Sequence, residues 1–134
     1  TFFTIRAAAK HMIKRGEGGR LIATSSASAI HGAARSEAYA ASKGGIISLT
    51  RGLAVELARY RITANTIIPG WIETAMTASR VGDEKFEDRV IKRVPARRWG
   101  RPEDFAGIAV YLASNASEYQ TGEDFVIDGG YTRF

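Results

Sequence analysis

Three short apolar runs, separated by stretches of helical periodicity, constrain this chain more than any other feature. The first is Leu21-Ile22-Ala23, inside a segment from Arg20 to Ser26. It is apolar without alternation, the pattern of a strand buried on both faces of a parallel sheet. The second runs from Arg61 to Ile68, where Ile62, Thr63, Thr66, Ile67 and Ile68 are all β-branched, and Pro69-Gly70 stops it. The third is short, Asp124 to Asp128, entered through Thr121-Gly122 and closed by Gly129-Gly130.

The intervening segments read as helices. Phe2, Ile5, Ala9 and Met12 recur at helical spacing from Thr1 to Lys14, and Gly16-Glu17-Gly18-Gly19 ends that helix. Glu37 to Arg59 is the longest helix, with a stripe of Ile46, Leu49, Leu53 and Leu57 widened by Ile47 and Ala54. Gly44-Gly45 inside it marks close approach by another backbone or subunit, or simply tolerated small residues. Trp71 to Arg101 is of low order, with one short helix capped by Asp83 and carrying Phe86 and Val90 on one face. Pro102 opens the last helix, with Glu103 and Asp104 in its first turn and Phe105, Ile108 and Leu112 on its buried face. Helix, strand, helix, strand, helix, strand is an α/β order with a parallel sheet and right-handed crossovers. At 134 residues the chain fits one domain, and no repeat or internal boundary divides it.

In open α/β sheets a ligand sits beyond the carboxyl ends of the strands. Thr24-Ser25-Ser26, Pro69-Gly70 to Thr74, and Asp128-Gly129-Gly130 all lie there. Ser26 leaves the first strand as Tyr39 enters the next helix, so both can face one cleft. Tyr39 and Lys43 are four apart, on one helical face. A free phenol has a pKa of about 10, and an ammonium beside it favours the phenolate. A hydroxyl, a phenol and an ammonium converging on one cleft outline a proton-transfer site.

Other site types lack their residues. There is no cysteine, and His11 and His31 are far apart with no third ligand at metal spacing, so no metal site is expected. No G-x-S-x-G and no G-x-G-x-x-G occurs. The net charge is +5, but the basic residues are dispersed without interleaved aromatics, which argues against nucleic acid. No apolar run of about 18 residues appears, so no membrane span is expected. The absence of cysteine suits a cytoplasmic protein. The chain opens without Met inside a helix, which leads us to expect a piece of a longer polypeptide.

The motifs taken together resemble the short-chain dehydrogenase/reductase family over essentially the whole chain. They are Arg20-Leu21-Ile22-Ala23-Thr24-Ser25-Ser26, Tyr39-Ala40-Ala41-Ser42-Lys43, and Asn65 through Ile68-Pro69-Gly70 to Thr74. Pro95-Ala96-Arg97-Arg98, Arg101-Pro102-Glu103 and Thr121-Gly122 to Asp128-Gly129-Gly130 complete the set. The interval of 13 residues from Ser26 to Tyr39 matches the family spacing and selects Ser26 over Ser25 and Ser28.

The resemblance implies a Rossmann-type, doubly wound parallel sheet, of which residues 1–134 would be the C-terminal half: the fifth to seventh strands with their helices. The family's glycine-rich pyrophosphate turn, its cofactor-selecting residue and its catalytic Asn would lie in the other half. In residues 1–134 alone, Arg20 to Ser26, central in the family, would become a long edge strand, and the chain would be expected to aggregate or stay partly unfolded and to bind no dinucleotide.

The implied activity is NAD- or NADP-dependent interconversion of a carbonyl and a secondary alcohol. Ser26 would polarise the substrate oxygen and Tyr39 would be the proton donor and acceptor. Lys43 would hold the nicotinamide ribose. Pro69 and Gly70 would pack against the nicotinamide, and Ile72 and Thr74 would hold its carboxamide, with Thr24 also on the cofactor side. Ser28, His31 and Trp71 would face the substrate, with Trp71 to Arg98 as a mobile lid. The resemblance further implies a homo-oligomer, a tetramer, paired through the helices Thr1 to Lys14 and Glu37 to Arg59. Redox-inactive relatives, lyases such as halohydrin dehalogenases or non-catalytic dinucleotide-binding proteins, are the alternative. The halohydrin dehalogenases carry arginine in place of Lys43, and the non-catalytic relatives break the Ser-Tyr-Lys set.

Overall fold

The structure is a computed structural model and describes residues 1–32 and 34–133; Ala33, in the expected loop after the first strand, and Phe134 lie outside them. Three strands, β1 (Gly19–Thr24), β2 (Ile62–Pro69) and β3 (Asp124–Ile127), form one sheet in the order β1-β2-β3. Both pairings are parallel, Leu21 opposite Ala64 and Ile67 opposite Phe125. Among the described residues four α-helices accompany them: α1 (Phe2–Arg15), α2 (Glu37–Leu57), α3 (Glu84–Arg89) and α4 (Ala106–Ala113).

β2 is the central strand, and its residues from Ile62 to Ile68 are all buried. Covering on both faces leaves no position that tolerates a solvated side chain, hence its continuous β-branched run. One face is covered by α1 and α2, where Ala9, Leu21, Ala54, Leu57, Ile62 and Ala64 form the core with Ile5, Met12 and Leu53 against them. The other face turns to α4: Arg20, next in β1 to Leu21, reaches the Ser114 carbonyl at 3.3 Å, and Leu112 is fully buried. The buried Asn65 amide donates to the Gln120 carbonyl at 2.9 Å and its oxygen accepts from the Glu123 N–H at 3.1 Å, fastening the α4–β3 connection to β2.

Several expectations are corrected. β1 buries only one face, Leu21 and Ala23, while Ile22 is 36% exposed. Its place at one edge of the sheet is as expected, but the face that carries Ile22 is partly open, so the apolar run is not covered on both sides. β1 also ends at Thr24 rather than Ser26, and Ala27–Ala29 is a 3₁₀ turn rather than plain loop. The buried face of α2 is Ile47, Thr50, Ala54 and Leu57, with Ile46, Leu49 and Leu53 half-buried beside it. Thr50 belongs to that face because its hydroxyl donates back to the Ile46 carbonyl at 2.8 Å, which satisfies it without water. α2 ends at Leu57 and a 3₁₀ turn, Ala58–Tyr60, follows; Arg61, in the left-handed region at φ 59°, then turns the chain into β2. Pro102 opens a 3₁₀ turn to Phe105 before α4 begins. α1 ends as expected on a left-handed Gly16, whose N–H donates to the Met12 carbonyl at 3.1 Å.

Trp71 to Arg101 is more ordered than expected. Asp83 does cap α3, its carboxylate accepting from the Lys85 and Phe86 N–H groups. Around it Ile91, Val94 and Trp99 are buried, with Trp71, Phe86, Val90 and Tyr131 packed on them. Phe86 and Trp99 stack at 5.6 Å, and Trp71 meets Phe86 edge-on at 5.0 Å. Sequence periodicity finds Phe86, in α3, and Val90, its C-cap, on one face but misses Trp71, Ile91, Val94, Trp99 and Tyr131, which short irregular segments present.

Candidate active site

The first turns of α2 are tied to the end of β1 by two reciprocal bonds. The Ser25 hydroxyl, buried at 3% exposure, donates to the Lys43 carbonyl at 2.8 Å. The Lys43 ammonium donates to the Thr24 carbonyl at 3.2 Å. The same ammonium lies 5.6 Å from the centre of the Tyr39 ring, and Tyr39 is 42% exposed. Tyr39 and Lys43 therefore share a face of α2 that opens at the carboxyl end of β1.

Ser26 caps the 3₁₀ turn that follows: its oxygen accepts the Ser28 N–H at 3.2 Å, and its hydroxyl points to the Ser28 oxygen at 3.2 Å. The oxygen is thus held while the O–H can rotate. Just beyond the turn, the His31 N–H donates to the Ala27 carbonyl at 3.1 Å.

At the end of β2, a side chain on Gly70 would collide with the Cβ of Asp128 at 2.6 Å, so the glycine lets β2 and β3 end side by side. Ile72 opposes Gly100 in an isolated bridge, but the bonds are made by its neighbours: Gly100 N–H to the Trp71 carbonyl and Glu73 N–H to the Gly100 carbonyl, both 2.9 Å. Among the described residues the Ile72 N–H donates to no acceptor. The Thr77 hydroxyl donates to the Ile72 carbonyl at 2.6 Å and sits 3.3 Å from the exposed Thr74 hydroxyl. A free amide N–H and a threonine hydroxyl beside a glycine-flattened strand end suit a planar amide. Trp71 and Ile72 also line a cavity of about 240 Å³ with Gly100, Asp104, Asp128 and Gly129.

Two site features escaped the sequence reading. Asp128 accepts from the Gly130 N–H at 2.8 Å and from the Thr132 N–H and hydroxyl at 2.8 and 2.7 Å. Burial works to raise its pKa, but the Thr132 hydroxyl and N–H, the Gly130 N–H and the Arg133 charge outweigh it, and the carboxyl titrates below its ordinary value. The turn Tyr131–Arg133 is thereby pinned, and the Tyr131 ring meets His31 edge-on at 5.3 Å and Trp71 at 6.4 Å. Tyr131 joins the ends of all three strands. Its only signal in the sequence is an aromatic directly after the Gly129-Gly130 stop.

A family model described as enoyl-(acyl carrier protein) reductase matches residues 1–132. A 2-dehydro-3-deoxy-D-gluconate 5-dehydrogenase of Escherichia coli (strain K12) is 42% identical over 130 residues, covering 97% of this chain and 51% of that one. An L-rhamnose 1-dehydrogenase (NAD(P)(+)) of Azotobacter vinelandii is 40% identical over 129 residues, covering 96% of this chain and 50% of that one. The crystal structure of a gluconate 5-dehydrogenase from Burkholderia cenocepacia, in complex with NADP and tartrate, superposes with a TM-score of 0.91 at 40% identity, covering 96% of this chain and 50% of that one. The chain spans about half the length of the curated relatives it matches. Among the described residues no helix is long and apolar enough to cross a membrane.

Proposed function

The chain belongs to the short-chain dehydrogenase/reductase family, and from that premise we propose that residues 1–134 are the C-terminal, catalytic and substrate-binding part of one Rossmann-type domain. The proposed activity is NAD- or NADP-dependent interconversion of a carbonyl and a secondary alcohol. The observation that carries it is Lys43, whose ammonium is fixed between the Thr24 carbonyl and the Tyr39 ring. Relatives act by name on a sugar acid and on a neutral sugar, so the substrate class proposed is a polyhydroxylated ketone or alcohol.

When bound, the nicotinamide supplies or accepts the hydride. The chain's own residues orient the partners and move the proton. Tyr39 gives a proton to the carbonyl oxygen in reduction and, as phenolate, takes it from the hydroxyl in oxidation. Ser26 turns its O–H from Ser28 toward the substrate oxygen while the Ser28 N–H keeps its oxygen in place. Lys43 donates to ribose hydroxyls. The Ile72 N–H and the Thr74 hydroxyl hold the carboxamide, and Thr24, Pro69 and Gly70 form the wall beside the ring. Ser28, His31 and Trp71 face the substrate, and the exposed stretch around Met76 and Val81 serves as the moving edge of a lid hinged on the aromatic cluster.

A homo-oligomer, a tetramer, is part of this reading. Val55 is 84% exposed on α2, Phe2 and Phe3 are exposed on α1, and the Cβ positions of Gly44, Gly45 and Gly52 meet nothing within 4 Å. These outward faces suit a second copy. The reading is tested by following the absorbance of reduced nicotinamide while the intact protein is given polyols and keto-sugars. Turnover with NAD or NADP is expected; none with either across both classes overturns it.

A further inference from the structure

Tyr131 carries a cation as well as meeting two aromatic rings. The guanidinium carbon of Arg93 lies 5.7 Å from the centre of its ring. Arg93 closes the 3₁₀ turn Ile91–Arg93, its N–H donating to the Val90 carbonyl at 3.0 Å. Ile91, which opens the turn, and Val94, which follows it, are buried at 8% and 3% exposure in the aromatic cluster. An exposed side chain between two buried anchors, laid on a ring that Asp128 has pinned, has its charge fixed in place rather than swept through solvent.

Several of the charges near the cluster are engaged, while Arg80 lies over Phe86 and Arg133 acts on Asp128 without an ion pair among the described residues. Lys92 pairs with Asp88 at 2.5 Å and Arg98 with Asp104 at 2.7 Å. The Glu87 carboxylate accepts from the Trp99 indole at 3.2 Å and from the Gly82 N–H at 3.0 Å. Asp128 is bonded to Gly130 and Thr132. Among the described residues no ion pair includes Arg93. A guanidinium stacked on a ring keeps its N–H edge free, and that fork matches a carboxylate. Through Tyr131 the group adjoins His31, which follows Ser26 and Ser28 on the loop after β1.

We propose that Arg93, seated on Tyr131, is the subsite for the carboxylate of a sugar-acid substrate and selects it over a neutral sugar. This rests on the oxidoreductase reading for its location, but it is tested by binding as well as by turnover. The probes are gluconate and sorbitol, which share a six-carbon polyol chain and differ in charge. Calorimetric titration of the intact protein should show gluconate binding more tightly than sorbitol. Arg93→Gln should weaken gluconate binding by roughly 10–100-fold, as loss of a charge-assisted bond does, and leave sorbitol unchanged; Arg93→Lys should recover part. Tyr131→Leu, which removes the platform and keeps the charge, should weaken gluconate less. In turnover the loss should fall on KM rather than kcat. Gluconate that fails to bind the parent, or binds Arg93→Gln as tightly, overturns the proposal. Gluconate that binds through Arg93 without being turned over leaves the subsite standing, and the oxidoreductase reading is then decided by the polyols and keto-sugars.

Discussion

The buried hydroxyl of Ser25 donates to the main-chain oxygen of Lys43 at 2.8 Å, fastening the second turn of α2 to the end of β1. Ser25 itself is held in the ladder, its N–H donating to the Ile67 carbonyl at 2.8 Å. It cannot touch a substrate, yet it sets where Lys43, and with it Tyr39, stands. Ser25→Ala should cost about 1 kcal/mol of stability, the net value of one such bond, and lower turnover several-fold. Urea midpoints and steady-state rates measure both. An unchanged midpoint with unchanged turnover would contradict the positioning role.

The aromatic cluster should be a stability centre in its own right. Trp99 is 6% exposed, stacked on Phe86 and bonded through its indole N–H to Glu87. Trp99→Ala leaves a large cavity and should cost about 3–5 kcal/mol; Trp99→Phe, which keeps the ring, should cost less. Denaturant unfolding reads this directly, and a loss of under about 1 kcal/mol for the alanine would show that the cluster is not a packed core.

The comparison between sequence and structure turns on how far each signal reaches along the chain. β2 and α1 are legible because burial on both faces and a regular stripe are local patterns. Ile22 misleads because an apolar residue does not report whether anything covers the face it lies on, and that face of β1 is partly open. The second core is legible only in part: Phe86, in α3, and Val90, its C-cap, share a face, but Trp71, Trp99 and Tyr131 join them from outside any α-helix, at no common period. In the candidate site Tyr39 and Lys43 are legible as neighbours on one helix. Ser25 is not, since its role depends on a carbonyl 18 positions away, and Tyr131 is not, since it reaches His31 only through the Asp128 turn.

Two carboxylates tie stability to acid pH. Arg98 holds Asp104 at about 2, chiefly by hydrogen bonding, with the Arg101 N–H adding to it. Asp128 is lowered as well, by the bonds and charge that outweigh its burial. Both folded values lie below that of a free carboxyl, so the stabilisation is present above about pH 4 and is lost as pH falls through each folded value, about 2 for Asp104. Asp128→Asn should flatten this acid limb, because the amide does not titrate. Urea midpoints at a series of pH values measure it; an acid limb as steep in the variant as in the parent would contradict the assignment for Asp128.

The outward faces of α1 and α2 should be covered by further copies. Light scattering on the intact protein at micromolar concentration is expected to give a tetramer. Val55→Asp, a charge on the most exposed apolar residue of α2, should shift it to smaller species without changing its circular dichroism. A monomer in the parent would refute the assembly.

The central claim is that Tyr39 moves the proton, and Tyr39→Phe tests it most directly because it deletes one oxygen from a half-exposed ring and leaves Lys43 and its bond to Thr24 in place. The measurement is turnover of the intact protein and its phenylalanine variant with saturating nicotinamide cofactor and substrate, with cofactor binding titrated in parallel. Turnover lower by roughly 10²–10⁴-fold is expected, the contribution of a general acid–base group, with cofactor affinity little changed. Turnover within a factor of a few of the parent would contradict it.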